Sequence, residues 1–392
     1  MYIAALAFIV ITLSGHLALW TFLYNRLHAT GLPRRVVRVV EKIMIVLVGV
    51  AGLVLFGLLL ARWPVVLGTW DDVGSRPLLV YAWLGWGALA LTATKWTWRK
   101  IAPRAPSPLL SNHTQQLNVR AQLGKLPVGR ATTRLAANLP GNQIMRVWFH
   151  HKTIQHAQLP AALDGLRIAQ LSDLHMTGQL IQEFFQAVVA RTNQWQPDLV
   201  VLTGDLLEKE TCLQWGPDTL GCLQAADGKY FILGNHDRRL PDPTRLRNAL
   251  CDTEWTDLGG RWRARSLRGS RILLAGNESP WFPAPRSKDR PETDAATKPF
   301  SILLSHTPDQ LPWARDHGFD LMLAGHTHGG QIRVPIIGPL VCPSRFGVRY
   351  ASGLFHEPPT VMHVSRGLSG VQPLRFNCPP EVTLLELRTG HA

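Results

Sequence analysis

Apolar residues are distributed along this chain in two ways. Through the first hundred residues they come in long runs, and after about Val147 they come in short bursts closed by turn residues. The long runs cover residues 3–24, 43–61 and 78–94, each near the ~20 residues that an α-helix needs to cross a bilayer core. The second, IMIVLVGVAGLVLFGLLLA, has no polar side chain, whereas the first carries His16. The opening MYIAALAFIV lacks the basic start of a cleaved signal peptide, and no twin-arginine signal opens the chain. The first run is therefore expected as a retained helix.

The short bursts are LRIAQLSD (166–173), PDLVVLTGD (197–205), KYFILGNHD (229–237), RILLAGNES (271–279), FSILLSHTP (300–308) and DLMLAGHTH (320–328), with TVMHVS (360–365) and EVTLLELR (381–388) later. Between the first two, IQEFFQAVVARTNQW (181–195) repeats apolar residues at helical spacing, with Phe184, Ala187 and Val188 on one side. Buried strands of four to six apolar residues with helical segments between them predict an α/β domain. Residues 101–145 are rich in Pro, Gln, Asn and Arg and keep no apolar period. They are expected as a basic linker, its cations on anionic headgroups or simply solvated. Three parts follow: a transmembrane region of about three helices over 1–100, the linker over 101–145, and a globular domain over 146–392.

Net charge changes the picture only once it is located. The chain carries +14 over 392 residues, which first suggests a nucleic-acid binder. Residues 1–150 hold 16 Lys and Arg against 3 Asp and Glu, while residues 151–392 hold 25 against 24. The globular part is nearly neutral, and no nucleic acid is expected as a partner, because duplex binding needs a concentrated basic face. The excess instead sets topology. Arg26, Arg34, Arg35, Arg38 and Lys42 follow the first run, and Lys95, Arg99, Lys100 and Arg104 follow the third. The middle loop has Arg62 and Arg76 beside Asp71 and Asp72. Positive loops face the cytoplasm, so a multi-pass protein of the inner (cytoplasmic) membrane with a cytoplasmic C-terminal domain is expected. Trp83, Trp86, Trp96 and Trp98 suit interfacial anchoring. Five dispersed cysteines without a CxxC pair indicate neither a zinc knuckle nor a disulfide framework.

Five of these bursts end in metal-ligand residue types. They supply Asp173 and His175 (SDLH), Asp205 (GD), Asn235, His236 and Asp237 (GNHD), His306 (SHTP), and His326 and His328 (GHTH). One histidine at a strand end is ordinarily capped or exposed, but five ends of this kind in one domain fit that poorly. Imidazoles with carboxylates suit Mn, Fe or Zn. Two adjacent ions need a bridging ligand, which a carboxylate such as Asp205 can supply. In open α/β sheets, ligands bind beyond the strand ends. Gly329 and Gly330 turn the chain away after the last pair.

The ordered set D-x-H, G-D, G-N-H-D, H, G-H-x-H resembles the calcineurin-like metallophosphoesterase family, over roughly Val147 to Arg388. GHTHGGQIRVPIIGPL, PSRFGVRYASGLF and VSRGL resemble its bacterial branch with N-terminal membrane segments. The resemblance implies a four-layer α-β-β-α sandwich and two divalent transition-metal ions (Mn, Fe or Zn). It places Asp173, His175 and His328 on the first ion, Asn235, His306 and His326 on the second, and Asp205 between them. It puts His236 at the phosphate, oriented by the acid after it, Asp237. Glu208, in GDLLE, stands where many members carry Asp. The expected function is hydrolysis of a phosphoester, as a phosphodiester or pyrophosphate, lipid-linked or soluble. The rival is a silent membrane scaffold of the same fold. A lipid substrate would call for an apolar wall, for which Trp281 and Phe282 in the Pro-rich stretch 281–300 are candidates. Arg366 is a candidate phosphate contact. His150, His151 and His156 are expected in an edge hairpin, His317 beside a helix end, and His363 in the core.

Overall fold

The structure is a computed structural model describing residues 2–61, 76–101, 107–292, 298–370 and 372–390. Arg62, Asp71, Asp72 and Arg104 of the topology argument, and residues 293–297 of the Pro-rich stretch, lie outside these. The chain divides into two compact units, Met1–Arg104 and Ala105–Ala392.

The first unit holds α1 (Tyr2–Leu27), α2 (Arg34–Ala61) and α3 (Arg76–Ile101), all three long and apolar enough to cross a membrane. Each extends past its apolar run because the flanking basic residues are good helix formers. Outward faces carry Val46, Val50, Leu53 and Val54, all exposed, an arrangement costly in water and natural in lipid. Small residues set the packing: a Cβ on Gly15 would overlap the backbone of Gly85. His16, the residue that weakens the first run on paper, is buried. Its Nδ1 lies 2.5 Å from the Tyr81 hydroxyl and its Nε2 3.0 Å from the Val48 carbonyl. Trp86 Nε1 donates to Thr12 Oγ1 at 3.0 Å. Apolar helices that must hide polar groups from lipid satisfy them against one another.

The second unit runs β1 (Leu109–Asn118), α4 (Val119–Leu123), α5 (Ala131–Ala137), β2 (Arg146–His156), β3 (Leu166–Leu171), α6 (Gln182–Asn193), β4 (Leu199–Thr203), β5 (Gly228–Ile232), α7 (Pro243–Cys251), β6 (Trp255–Asp257), β7 (Trp262–Leu267), β8 (Ser270–Asn277), β9 (Phe300–Ser305), α8 (Leu311–Asp316), β10 (Leu321–Ala324), β11 (Arg333–Val334), β12 (Gly338–Pro339), β13 (Gly353–Glu357), β14 (Thr360–Val364) and β15 (Glu381–Thr389). One sheet has the order β1-β2-β15-β3-β4-β5-β6, the other β13-β14-β10-β9-β8-β7, and β11-β12 is a separate hairpin.

Alternation along each strand builds the layers. In β4, Val201 enters the core between the sheets, while Val200 and Leu202 join Phe184 and Val188 of α6 and Leu246 and Leu250 of α7 outside. On the other sheet, Ile302 and Leu304 of β9 face inward, while Leu303 packs outward with Leu311 and Ala314 of α8. Strands apolar on both faces belong between two layers, and the result is helices, sheet, sheet and helix. Strands β3, β4 and β5 are mutually parallel, as are β8, β9, β10 and β14.

The expected linker is corrected. Its described part carries β1, α4 and α5 and belongs to the second unit. β1 is an edge strand, mostly exposed and held by its backbone ladder to β2, so it needs no apolar period. For the same reason β2 is not an edge: it runs between β1 and β15, and His150 and His156 are buried.

Candidate metal centre

The parallel strands point their C-terminal ends one way, and the turns that follow β3, β4, β5, β9 and β10 converge. Asp173, His175, Asp205 and His328 offer ligand atoms within 4.8 Å of one another, and so do Asp205, His306 and His326. Asp205 belongs to both groups. Its Oδ2 lies 3.5 Å from His175 Nε2 and its Oδ1 3.3 Å from His306 Nε2. Asn235 Oδ1 is 3.0 Å from His306 Nε2, and His326 Nδ1 is 3.2 Å from that same nitrogen. On the other side, His175 Nε2 and His328 Nε2 stand 3.2 Å apart, with Asp173 Oδ1 3.6 Å from the latter.

The backbone is bent to achieve this. Asp173, His175, Asp205, His326 and His328 all have φ between 45 and 71°, a left-handed region that costs a non-glycine residue about 1–3 kcal/mol. Their amides are tied down: Asp173 accepts from the His326 N–H, and Asp205 Oδ1 accepts from the His236 N–H at 2.7 Å. A Cβ on Gly234 would overlap the Asp205 carboxylate, so glycine there is a requirement of close approach.

The far nitrogen of each imidazole fixes its tautomer. His306 Nδ1 donates to the Thr203 carbonyl at 2.8 Å, and His175 Nδ1 donates to Glu208 Oε1 at 2.7 Å. Both therefore present a lone pair at Nε2, the usual arrangement around a bound metal. Burial opposes a second proton on His306, but Asp205 raises its pKa to about 9, so a cation binding at Nε2 would displace a proton there. Burial would lift the Asp205 carboxyl, yet His306, His236 and His175 hold it well below the usual carboxylate range. Asp205 Oδ2 is buried without a hydrogen-bond partner. Nitrogens facing one another around an anionic, unsatisfied oxygen fit divalent cations, and a carboxylate with one oxygen toward each histidine group fits a bridge between two.

One expected role is corrected. Asp237 does not touch the His236 ring. Its Oδ1 accepts from the N–H groups of Leu206 and Leu207 and its Oδ2 from Gly234, all at 2.8 Å. Directly following His236 in sequence, it faces the opposite way into the turn after β4, where burial and the charge of Asp205 push it up to about 7. The acid beside His236 is Glu208, whose Oε1 accepts from His236 Nδ1 at 2.7 Å as well as from His175. Arg239 donates to Glu208 Oε2 at 2.6 Å and to His236 Nε2 at 2.7 Å. Burial foremost pushes His236 down to about 4, so the ring is neutral and accepts from Arg239. Sequence reasoning singled out Glu208, three positions after Asp205, without giving it a role, and missed Arg239.

Trp281 lies against the centre, its ring 4.7 Å from that of His326 and 5.4 Å from that of His306. Phe282 turns away to the outer core and Arg247. Arg366 also turns away, pairing with Glu381 at 3.0 Å and covering Trp148. His363 is fully buried in β14, and His317 caps α8.

Comparison with known proteins agrees with this geometry. A profile described as Calcineurin-like phosphoesterase matches residues 166–330. An "Uncharacterized metallophosphoesterase YkuE" of Bacillus subtilis is 32% identical over 242 residues, covering 60% of this chain and 84% of that one. "Phosphodiesterase YaeI" of Escherichia coli is 32% identical over 56% of this chain and 82% of its own. "UDP-2,3-diacylglucosamine pyrophosphatase LpxG" of Chlamydia trachomatis is 27% identical over 57% of this chain and 84% of its own. With buried carboxylates and imidazoles gathered at the strand ends, and relatives matched over most of their length, this chain belongs to the calcineurin-like phosphoesterase family and is a metal-dependent phosphoric ester hydrolase.

Proposed function

We propose that the protein is a membrane-anchored hydrolase of phosphodiester or pyrophosphate bonds in lipid-linked substrates, using two divalent transition-metal ions. The observation that carries the catalytic reading is the single carboxylate of Asp205 shared between two groups of histidines. Asp173, His175 and His328 would hold one ion, Asn235, His306 and His326 the other, and Asp205 both. Bound ions supply Lewis acidity and a nucleophile at neutral pH. The chain's own residues do the rest. Glu208 keeps the His175 and His236 rings oriented, and Arg239, held by Glu208 and His236, would offset charge on the phosphate oxygens. Trp281 provides an apolar wall beside the second group of ligands.

Three apolar helices and a relative named for a diacylated pyrophosphate substrate support the lipid-linked class. Lys and Arg after the first and third helices support a cytoplasmic location for the second unit, at an inner membrane. The test uses the full chain in detergent micelles. It should retain about two transition-metal ions and cleave a soluble aryl phosphodiester, losing both on chelation. It should also cleave phospholipids or lipid-linked precursors presented in the same micelles. Absence of metal sinks the mechanism, whereas turnover of soluble diesters alone sinks the lipid substrate.

A further inference from the structure

Straight after the last candidate ligand, His328, the chain leaves the sandwich as the β11–β12 hairpin. Its sequence, QIRVPIIGPLV (331–341), has no acid and only Arg333 as a charge. Its side chains face out: Ile336 is 91% exposed, and Ile332, Ile337, Leu340 and Val341 are 43–52% exposed. A protruding run of aliphatic residues is an error in a water-facing surface unless it has a use. Ile336 also sits at φ 69°. A β-branched residue is a poor choice for that conformation, which Gly adopts freely and Asn more readily than Ile.

The hairpin is built firmly at its base. Arg333 Nε donates to the Gly329 carbonyl at 2.8 Å, and a Cβ on Gly330 would overlap Pro339. Arg333 N–H donates to the Phe376 carbonyl, and Ile332 bridges to Phe376. The buried Arg375 beside it donates to the His328 carbonyl at 2.9 Å. The same segment binds the turn after α5, where Asn142 Nδ2 reaches the Pro373 carbonyl at 2.9 Å. The end of α5 and that turn add two further exposed aliphatics, Leu135 (74%) and Leu139 (47%).

Charge identifies what covers this surface. No Asp or Glu occurs between Asp320 and Glu357, or between Asp72 and Asp164. These stretches carry Arg345, Arg120, Arg130 and Arg134, Arg120 on Asn138 beside Leu139, together with Arg349 and Lys125, which pair with Glu357 and Glu183. Exposed aliphatic residues in stretches where cations outnumber anions match the interface of an anionic bilayer, where apolar side chains enter the acyl boundary and cations meet the headgroups. We propose that the hairpin tip at Ile336 and Ile337 dips into an anionic bilayer and holds the mouth of the metal centre at the lipid surface. This rests on α1–α3 spanning that bilayer, and not on the hydrolytic reading.

The test is a depth measurement on the full chain in nanodiscs of phosphatidylglycerol and phosphatidylcholine. A nitroxide is placed by Ile336→Cys in a Cys222→Ser/Cys251→Ser background, these being the exposed cysteines among the described residues. Val50→Cys on α2 reports a lipid-facing site and Ser266→Cys on β7 a water-facing one. The proposal expects the 336 label to favour oxygen over a water-soluble nickel chelate, as at Val50 and opposite to Ser266, with the preference lost in uncharged lipid. Equal access to both collision reagents at 336, with Val50 still in lipid, overturns the hairpin and leaves the spans intact. A label shielded from both overturns it in favour of a protein partner. A second variant, Ile336→Asp/Ile337→Asp, should raise KM for a lipid-embedded diester about tenfold, the loss expected on removing one or two aliphatic side chains from an apolar phase. Its kcat/KM on a soluble diester should not change; a fall there also counts against the proposal.

Discussion

The helical unit and the sandwich place polar groups by opposite rules. In the helices they are few and answered locally: His16 between Tyr81 and Val48, Thr12 by Trp86. In the sandwich they are concentrated, and the most buried of them face one another in groups, with Asp205 Oδ2 left without a hydrogen-bond partner. A buried polar group without a partner costs several kcal/mol in either medium. The helices avoid that cost, while the sandwich accepts it together with five strained φ angles. The difference separates apolar helices that pair their few polar groups from a buried cluster whose residue types fit cations.

The strongest way to break the comparison is Asp205→Ala. Removing the shared carboxylate should abolish metal content and lower soluble diester turnover by at least ~10³-fold, on the scale of losing one element of a unit that acts together. Elemental analysis with a turnover assay checks it; retention of metal at full occupancy would detach Asp205 from the centre. His236→Ala comes next, with metals retained and kcat reduced ~10²–10³-fold. Its neighbour sharpens the point. Asp237→Ala strips acceptors from three buried N–H groups, each worth about 1–3 kcal/mol when left unmade. It should appear as a fall in thermal stability, and a variant that unfolds normally but loses turnover would restore Asp237 to the reaction.

Gly15→Val probes the other region. The α1–α3 contact admits no side chain, so overpacking should cost roughly 1–3 kcal/mol in a bicelle unfolding titration, while soluble diester turnover stays unchanged. The smallest effect concerns His150, between Thr114 of β1, Lys152 of its own strand, Glu381 of β15 and Arg366. Burial, against Glu381 and aided by Lys152 and Arg366, pushes its pKa down to about 4. Because the unfolded histidine takes up its proton near 6.5, the unfolded form binds more protons between pH 6.5 and 4. Stability should then fall as pH drops through that window, by at most about 1.4 kcal/mol per unit from this group. Glu381, held down to about 2 by Arg366, Lys152 and His150 despite burial, stays anionic throughout. His150→Asn should flatten the slope in chemical denaturation; an unchanged slope would assign it elsewhere.

Several features were legible in advance for identifiable reasons. Three helices were readable because a bilayer demands uninterrupted apolar length. Strands β3, β4, β5, β8, β9 and β10 were readable because burial on both faces leaves them predominantly apolar. The residues at their ends stood out against that background. β1 and β7 were not readable: an edge strand is held by backbone hydrogen bonds and its side chains are free to be polar. Within the centre, adjacency in sequence misled. His236 and Asp237 are neighbours, but successive side chains in a tight turn diverge, and Asp237 serves the turn after β4 instead.

What the sequence determined by itself is therefore local: lengths, periods, and which residue types end each burst, all set by the chain's immediate neighbours and by the medium. Tertiary structure alone decided that Glu208, rather than Asp237, holds His236, that Trp281 and not Phe282 flanks the ligands, and that residues 109–156 complete a sheet. Each of these depends on contacts between segments tens to hundreds of residues apart. Such contacts follow from strand order and register, which no local pattern encodes.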